Sequence, residues 1–216
     1  MNPRLVALAV HDLKNALGAL EGELDVLEAD PSTAKARAAR RHCVQLRQRF
    51  VAFLTLYRAT DDLRAMVSDE SPQEFIAGIA RHAEPEPEPG ATARLVCGAG
   101  ATAPAFWYFD PRLVRLAMDA ALHNALRFAR REVVIDSAEV DGWLVISVDD
   151  DGPGLGPEGG AVEADDGAGD GADWSTGLGT ELCRAVARAH RNGDREGRVT
   201  LANRPKGGAR FELWLP

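Results

Sequence analysis

Seven apolar residues, Val6, Val10, Leu13, Leu17, Leu20, Leu24 and Leu27, follow one another at alternating spacings of four and three. That rhythm lays them along one stripe of an α-helix and makes a heptad seam of the coiled-coil kind. Asp30-Pro31-Ser32-Thr33 then breaks the helix and caps the next one. The second helix repeats the rhythm with Ala39, Cys43, Leu46, Phe50, Phe53 and Tyr57. Two long amphipathic helices joined by a short turn form an antiparallel hairpin, and a hairpin alone cannot bury such a stripe. The simplest solution is a two-fold four-helix bundle, so a homodimer is expected.

The heptads stop between Ser68 and Gln73, where Ser71-Pro72 with Glu74 reads as a new helix start. A domain boundary is therefore expected there, with a helical hairpin over 1–68 and a second domain over 72–216. A chain of 216 residues is long enough for both. Its formal charge of -8 argues against a nucleic-acid partner, which needs a basic surface. No apolar run approaches the roughly 20 residues of a membrane span, and no signal peptide is visible. Cys43, Cys97 and Cys183 show neither metal-ligand spacing nor a pairing pattern, which fits a reducing cytoplasm.

In the second domain a short helix to about His82 leads into the acidic proline run Glu84 to Gly90. Strands are expected at Arg94–Cys97 and Ala105–Phe109, and Asp110-Pro111 opens a periodic helix to about Arg130. Glu132–Asp136 and Trp143–Val148 read as a strand pair, with a turn at Val140-Asp141-Gly142. Glu158 to Asp173, rich in Gly, Ala and Asp, cannot pack a core and reads as a flexible lid. A helix over Glu181–His190 and a closing hairpin of Arg198–Asn203 and Ala209–Leu215 complete the chain. Helices on one side of a mixed, largely antiparallel sheet make an α/β sandwich, and the whole chain is of the α+β class.

Four short stretches carry chemistry. Asp150-Asp151-Gly152-Pro153-Gly154 ends a strand in an acid that can accept a hydrogen bond from an exocyclic amine. Its glycines allow positive φ and close approach of a ligand to the backbone. His11 sits beside the seam rather than in it, with Asp12 next to it and Asn15 at i+4 on the same face. A neutral imidazole nitrogen can attack phosphorus, a carboxylate can orient the ring and take its proton, and an amide can place water for the reverse hydrolysis. On the long helix, the Asn124 carbonyl is a hard oxygen ligand for Mg²⁺, and Arg127 could reach a phosphate. Thr176-Gly177-Leu178-Gly179 opens a helix, where free N–H groups favour an anion. Taken singly, each has a plainer reading as a turn or a solvated helix face.

In order and spacing, Val10–Asn15, Leu122–Phe128, Val148–Leu155 and Thr176–Gly179 resemble the H, N, G1 and G2 boxes of sensor histidine kinases. Gly207-Gly208-Ala209-Arg210-Phe211 to Pro216 looks like the closing strand of the same family. The resemblance implies a dimerisation and histidine-phosphotransfer hairpin followed by a Bergerat (GHKL) ATP-binding fold. It implies that His11 takes the phosphoryl group with Asp12 assisting, and that Asn15 serves a phosphatase step. Asp150 would hold the adenine amine, Gly152 and Gly154 would shape the pocket, and Asn124 would hold Mg²⁺. Arg127, Thr176, Gly177 and Gly179 would serve the phosphates of ATP. The implied partner is the receiver domain of a response regulator, and a separate sensor protein is compatible with it. The chain departs from the pattern at Ala16, at Ala120 in the first Asn position of the N box, and in lacking paired phenylalanines before the lid, where Trp174 is the nearest aromatic. An alternative is a histidine phosphotransferase that relays phosphate between response regulators and carries a degenerate ATP-like domain. Ala120, the altered lid and the position of His11 near the start favour it, whereas Asp150, Gly152, Gly154, Gly177 and Gly179 oppose it. A serine-kinase anti-sigma factor would explain neither His11 nor the heptads.

Overall fold

The computed structural model describes residues 3–58, 63–82, 93–155, 162–163 and 178–216. The acidic proline run, Trp174, Thr176 and Gly177 lie outside the described residues. The described residues fall into two compact units, one within Met1–Asp62 and Thr176–Leu182, the other within Leu63–Ser175 and Cys183–Pro216.

The first unit is built on α1 (Pro3–Ala29) and α2 (Thr33–Arg58). The turn between them is closed by its own side chains. Ser32 Oγ accepts from the Lys35 N–H at 3.2 Å, and Lys35 Nζ lies 2.6 Å from Asp30 Oδ2. The heptad stripe divides along its length. Leu20 and Ala39 are buried, Leu13, Leu27, Leu46 and Phe53 are half-buried, and Ala52 and Leu56, beside the stripe rather than on it, are buried too. Val10, Leu17, Leu24, Phe50 and Tyr57, also on the stripe, stay 44–57% exposed. A single neighbouring helix covers only one side of a two-column seam. The column at positions 10, 17 and 24 and that at 50 and 57 are left uncovered.

The second unit opens with β1 (Ser68–Glu70) and α3 (Pro72–His82), followed by β2 (Arg94–Cys97), β3 (Trp107–Phe109) and α4 (Pro111–Phe128). Then come β4 (Glu132–Val140), β5 (Trp143–Asp150), β6 (Val162–Glu163), α5 (Leu178–Ala189), β7 (Arg191–Asn192), β8 (Arg195–Glu196), β9 (Arg198–Asn203) and β10 (Ala209–Leu215). Six strands form one sheet in the order β2-β4-β5-β10-β9-β6. The β2–β4 pair is parallel and the other pairs are antiparallel. Alternate residues of β4 and β10, among them Val133, Ile135, Leu213 and Leu215, are buried with Val114, Met118 and Ala121 of α4. This is the period-two pattern of a sheet with one covered face. The β4–β5 connection has Asp141 at φ 50° and Gly142 at φ 69°, the left-handed pair that a two-residue hairpin needs.

Several boundaries differ from those read in the sequence. β1 was not foreseen, because Ser68-Asp69-Glu70 has no apolar character; it forms by pairing antiparallel with β3. β3 begins at Trp107 rather than Ala105, and α4 ends at Phe128 rather than Arg130. α5 begins at Leu178 rather than Glu181, since buried Leu178 and Leu182 form one i,i+4 pair and extend the apolar stripe backwards. Within the stretch expected to be a lid, Val162–Glu163 pairs with Leu201 and Thr200 of β9. Val162 is the one β-branched residue between Gly156 and Asp173.

Buried polar contacts tie α4 to the end of α5. Asp110 caps α4, its Oδ1 accepting from the N–H groups of Arg112 and Leu113 at 2.9 and 3.2 Å. Its Oδ2 accepts from the Met66 N–H at 2.9 Å. Its own N–H donates to His190 Nε2 at 3.0 Å, while His190 Nδ1 donates to the Val186 carbonyl at 2.7 Å. These partners fix a neutral imidazole with its proton on Nδ1. Burial opposes ionisation of Asp110, yet the Met66, Leu113 and Arg112 N–H groups and the Arg112 charge together hold its carboxyl below the usual range. Burial also pushes the pKa of His190 below its ordinary 6.5. The unfolded chain therefore takes up a proton near pH 6.5 that the folded one refuses, and stability is lost as pH falls below that value. Thermal unfolding of this unit, followed between pH 7.5 and 5.5, is expected to shift downwards on acidification. His190→Gln should flatten that slope.

Cysteines follow the same division between core and surface. Cys183 is buried, donates from Sγ to the Ala117 carbonyl at 3.5 Å, and has a thiol pushed up by burial to about 12. Cys43 and Cys97 are exposed.

Candidate functional site

The strongest concentration of functional groups lies where β5 ends. Asp149, Asp150 and Asp151 are consecutive, yet each meets a different environment. Asp149 is gripped by Arg210, whose Nε and Nη2 lie 2.6 Å from Oδ1 and Oδ2. That bidentate bond, with the charge of Asp149, raises the Arg210 pKa above its usual value and makes Asp149 a structural counter-ion. Asp151 turns the other way. Its Oδ1 accepts from the N–H groups of Arg130, Arg131 and Glu132 at 2.8, 3.0 and 3.3 Å. Those bonds, the one from Arg131 foremost, hold its carboxyl below the usual range and cap the passage from α4 to β4.

Asp150 is left for other work. It is 7% exposed, and its Oδ1 accepts from the Gly152 N–H at 2.7 Å. Its Oδ2 has no hydrogen-bond partner among the described residues. A nearly buried carboxylate with one open oxygen and a backbone bond fixing the other is poised to accept a hydrogen bond from a ligand.

The glycines beside it are required by space as well as by conformation. A Cβ on Gly152 would come within 2.5 Å of the Phe128 carbonyl oxygen, at the end of α4. Gly154 has φ 79°, and a Cβ there would lie 2.5 Å from Asn203 Oδ1. The loop thus lies directly against the last turn of α4. Asn124 is one helical turn back from Phe128, about 6 Å along the axis. Its half-buried amide makes no hydrogen bond to a described residue. Arg127 is exposed, with its guanidinium 5.0 Å from the centre of the Phe128 ring. Ala120, a further turn back, is half-buried. Gly179 occupies the second position of α5, inside the first turn rather than before it.

On α1, His11 and Asn15 are both exposed, and Asn15 Nδ2 lies 3.2 Å from His11 Nδ1 and 3.4 Å from Nε2. The amide thus lies within hydrogen-bond reach of the ring. The Asp12 side chain lies outside the described residues. Among the described residues no three His, Cys, Asp or Glu side chains gather to hold a metal ion, and no helix is long and apolar enough to cross a membrane.

Sequence reasoning missed the residues that brace the loop. Asn203 bonds both main-chain groups of Leu155, and Arg204 reaches the Asp150 carbonyl. They sit about 50 residues downstream, and only the turn composition of Asn203-Arg204-Pro205-Lys206-Gly207-Gly208 hinted that the chain bends there.

A sheet covered by helices on one face, with an open acid and close-packed glycines at a strand end, defines an α/β sandwich with a ligand-accepting loop at the end of β5. Residues 109–216 match the family of histidine kinase-, DNA gyrase B-, and HSP90-like ATPases. The chain belongs to that family, whose nucleotide is ATP. It is 32% identical over 114 residues to the sensor histidine kinase CpxA of Escherichia coli, a match covering 50% of this chain and 24% of CpxA. The chain thus spans about a quarter of the length of the curated relatives it matches. The fold is similar to that of the Acinetobacter baumannii histidine kinase AdeS, with a TM-score of 0.66 at 17% identity, over 95% of this chain and 96% of that one. It is also similar to the histidine kinase ThkA in its complex with the response regulator protein TrrA, with a TM-score of 0.64 at 14% identity, over 99% and 61% of the two chains. Both matches extend over nearly the whole of this chain, and the α+β order expected from the sequence, a helical hairpin followed by an α/β sandwich, is the order found.

Proposed function

We propose that this chain is the phosphotransfer and ATP-binding portion of a histidine kinase, which phosphorylates His11 from Mg²⁺-ATP and passes the phosphoryl group to an aspartate of a response-regulator receiver domain. The observation that carries the reading is the open oxygen of Asp150 beside glycines that leave no room for a side chain. An adenine amine supplies the donor that this oxygen lacks. ATP brings the transferable γ-phosphoryl group. Asp150 and the backbone around Gly152 and Gly154 orient the base. Asn124, whose amide makes no hydrogen bond to a described residue, would offer one oxygen to a Mg²⁺ ion carried mainly by phosphates and water. Arg127, Thr176, Gly177 and Gly179 serve the phosphates, with the free N–H groups of the first turn of α5 among their donors. His11 attacks phosphorus through a neutral ring nitrogen as the bond to ADP breaks, and Asp12 takes the ring proton. Asn15, already against the ring, places water for the opposite, phosphatase reaction on the receiver.

The domain division is proposed as a phosphotransfer hairpin over 1–68 and an ATP-binding domain over 72–216, working in the cytoplasm with a separate sensor protein as a compatible partner. Incubation with γ-labelled ATP and Mg²⁺, then with a receiver domain, tests the core of the reading. Acid-labile label on the chain that moves to the receiver is expected, and a chain that neither binds ATP nor takes label would overturn it.

The uncovered column of the hairpin is proposed to close against a second copy of the chain as a four-helix bundle. Sedimentation is expected to show a dimer. Leu17→Asp places two charges in that interface and removes two buried leucines, at about 1.5–3 kcal/mol each, so dimerisation should weaken about 100-fold or more.

A further inference from the structure

We propose that Asn203 and Arg204, at the end of β9 and the start of the turn to β10, are positioning residues that hold Asp150 at the height where it reads an adenine amine, and so set the base selectivity of the site. The inference rests on the nucleotide site proposed above.

β5 pairs with β10 as far as Asp149, opposite Arg210. Beyond that pair the Asp150 carbonyl is taken by the Arg204 guanidinium, Nη1 to O at 2.8 Å. Arg204 is itself held, with Nε 3.6 Å from Asp149 Oδ2, on the carboxylate that Arg210 also grips. Five residues on, Asn203 fixes the far end of the same loop. Its Oδ1 accepts from the Leu155 N–H at 2.6 Å, and its Nδ2 donates to the Leu155 carbonyl at 3.2 Å. The turn can approach this closely because Gly208, at φ 85°, has no room for a Cβ against the Asp150 carbonyl. Both ends of Asp150–Leu155 are thus anchored to the last residue of β9 and the first of the five-residue turn that follows it, by side chains that leave the Asp150 carboxylate untouched.

An aspartate carboxylate stands close to its own backbone, so a shift of the main chain by about 1 Å moves a hydrogen bond from good geometry to none. Adenine offers a donor at the position where guanine offers an acceptor. Loss of the anchors therefore weakens ATP and leaves GTP, which gains nothing from Asp150, nearly unchanged. A purely structural role would lower the unfolding temperature, or reduce both affinities together, without changing their ratio.

The test is displacement of a ribose-labelled fluorescent ATP from the whole chain by unlabelled ATP and by GTP, with thermal unfolding alongside. The unmodified protein is expected to prefer ATP, and Asp150→Asn to abolish that preference. Arg204→Met and Asn203→Ala should each raise the ATP Kd about tenfold while changing the GTP Kd less than about twofold. Asn203→Asp keeps the acceptor for Leu155 N–H and should retain most of the preference. If Arg204→Met fails to fold, the Asn203 pair decides, since that side chain is exposed at the surface. Folded variants whose ATP-to-GTP ratio matches the unmodified protein would overturn the inference while leaving the ATP site standing. A preference for ATP that ignores Asp150→Asn, or no preference at all, would overturn both.

Discussion

Asp150→Asn is expected to weaken ATP binding about 30- to 150-fold, from the loss of a charge-assisted hydrogen bond of about 2–3 kcal/mol. The substitution changes almost nothing in volume, and the amide oxygen can still accept from the Gly152 N–H, as Oδ1 does now at 2.7 Å. What changes is the second atom of the head group. Where Oδ2 stands open, the variant carries an NH₂ that would face the amine of the base, donor against donor. The unfolding temperature without nucleotide should move little, because Asp150 has no ion pair to lose among the described residues, unlike Asp149 with Arg210. Titration calorimetry with ATP and Mg²⁺, beside a melting curve, separates the two effects. An unchanged Kd would remove Asp150 from the nucleotide site.

His11→Ala is expected to reduce acid-labile labelling from γ-labelled ATP to background, while ATP affinity stays within about twofold. The nucleophile is lost outright, since alanine offers no atom that could accept a phosphoryl group. Side-chain burial is not lost, because His11 is exposed on α1 and lies against the equally exposed Asn15. Helix propensity rises, if anything. A variant that still binds ATP but takes no label identifies His11 as the acceptor, and persistent labelling would place the acceptor elsewhere. If neither protein is labelled from ATP but the unmodified one takes label from a phosphorylated receiver, the chain is a relay rather than a kinase.

Local pattern carried much of the fold. The four-three spacing gave α1 and α2, Asp141-Gly142 gave the β4–β5 turn, and strand alternation gave β4, β5, β9 and β10. In these elements one short-range rule governs many successive residues. The rest depended on contacts between distant parts of the chain. Both columns of the heptad are apolar, so the letters alone do not distinguish Leu20, which is buried, from Leu17, which is not. Three adjacent aspartates look alike, and their separate tasks follow from Arg210 in one direction and the Arg130–Glu132 backbone in the other. His190 had no motif, because its partner Asp110 is 80 residues away. The Asp-x-Gly-x-Gly spacing picked out Asp150, whereas the turn that braces it was invisible until β9 and β10 were side by side.

The distribution of thiols has a practical consequence for spectroscopy. Each compact unit carries one reachable sulfur, Cys43 on the hairpin and Cys97 on the sandwich, whereas Cys183 is closed off by burial and by a pKa of about 12. Maleimide reagents at neutral pH need an accessible thiol with some thiolate character, so they should modify the first two and spare the third. The unaltered chain is therefore ready for a donor and acceptor dye, or a pair of spin labels, without cysteine engineering. Such a pair would report the separation of hairpin and sandwich directly, and any change in it when nucleotide is added.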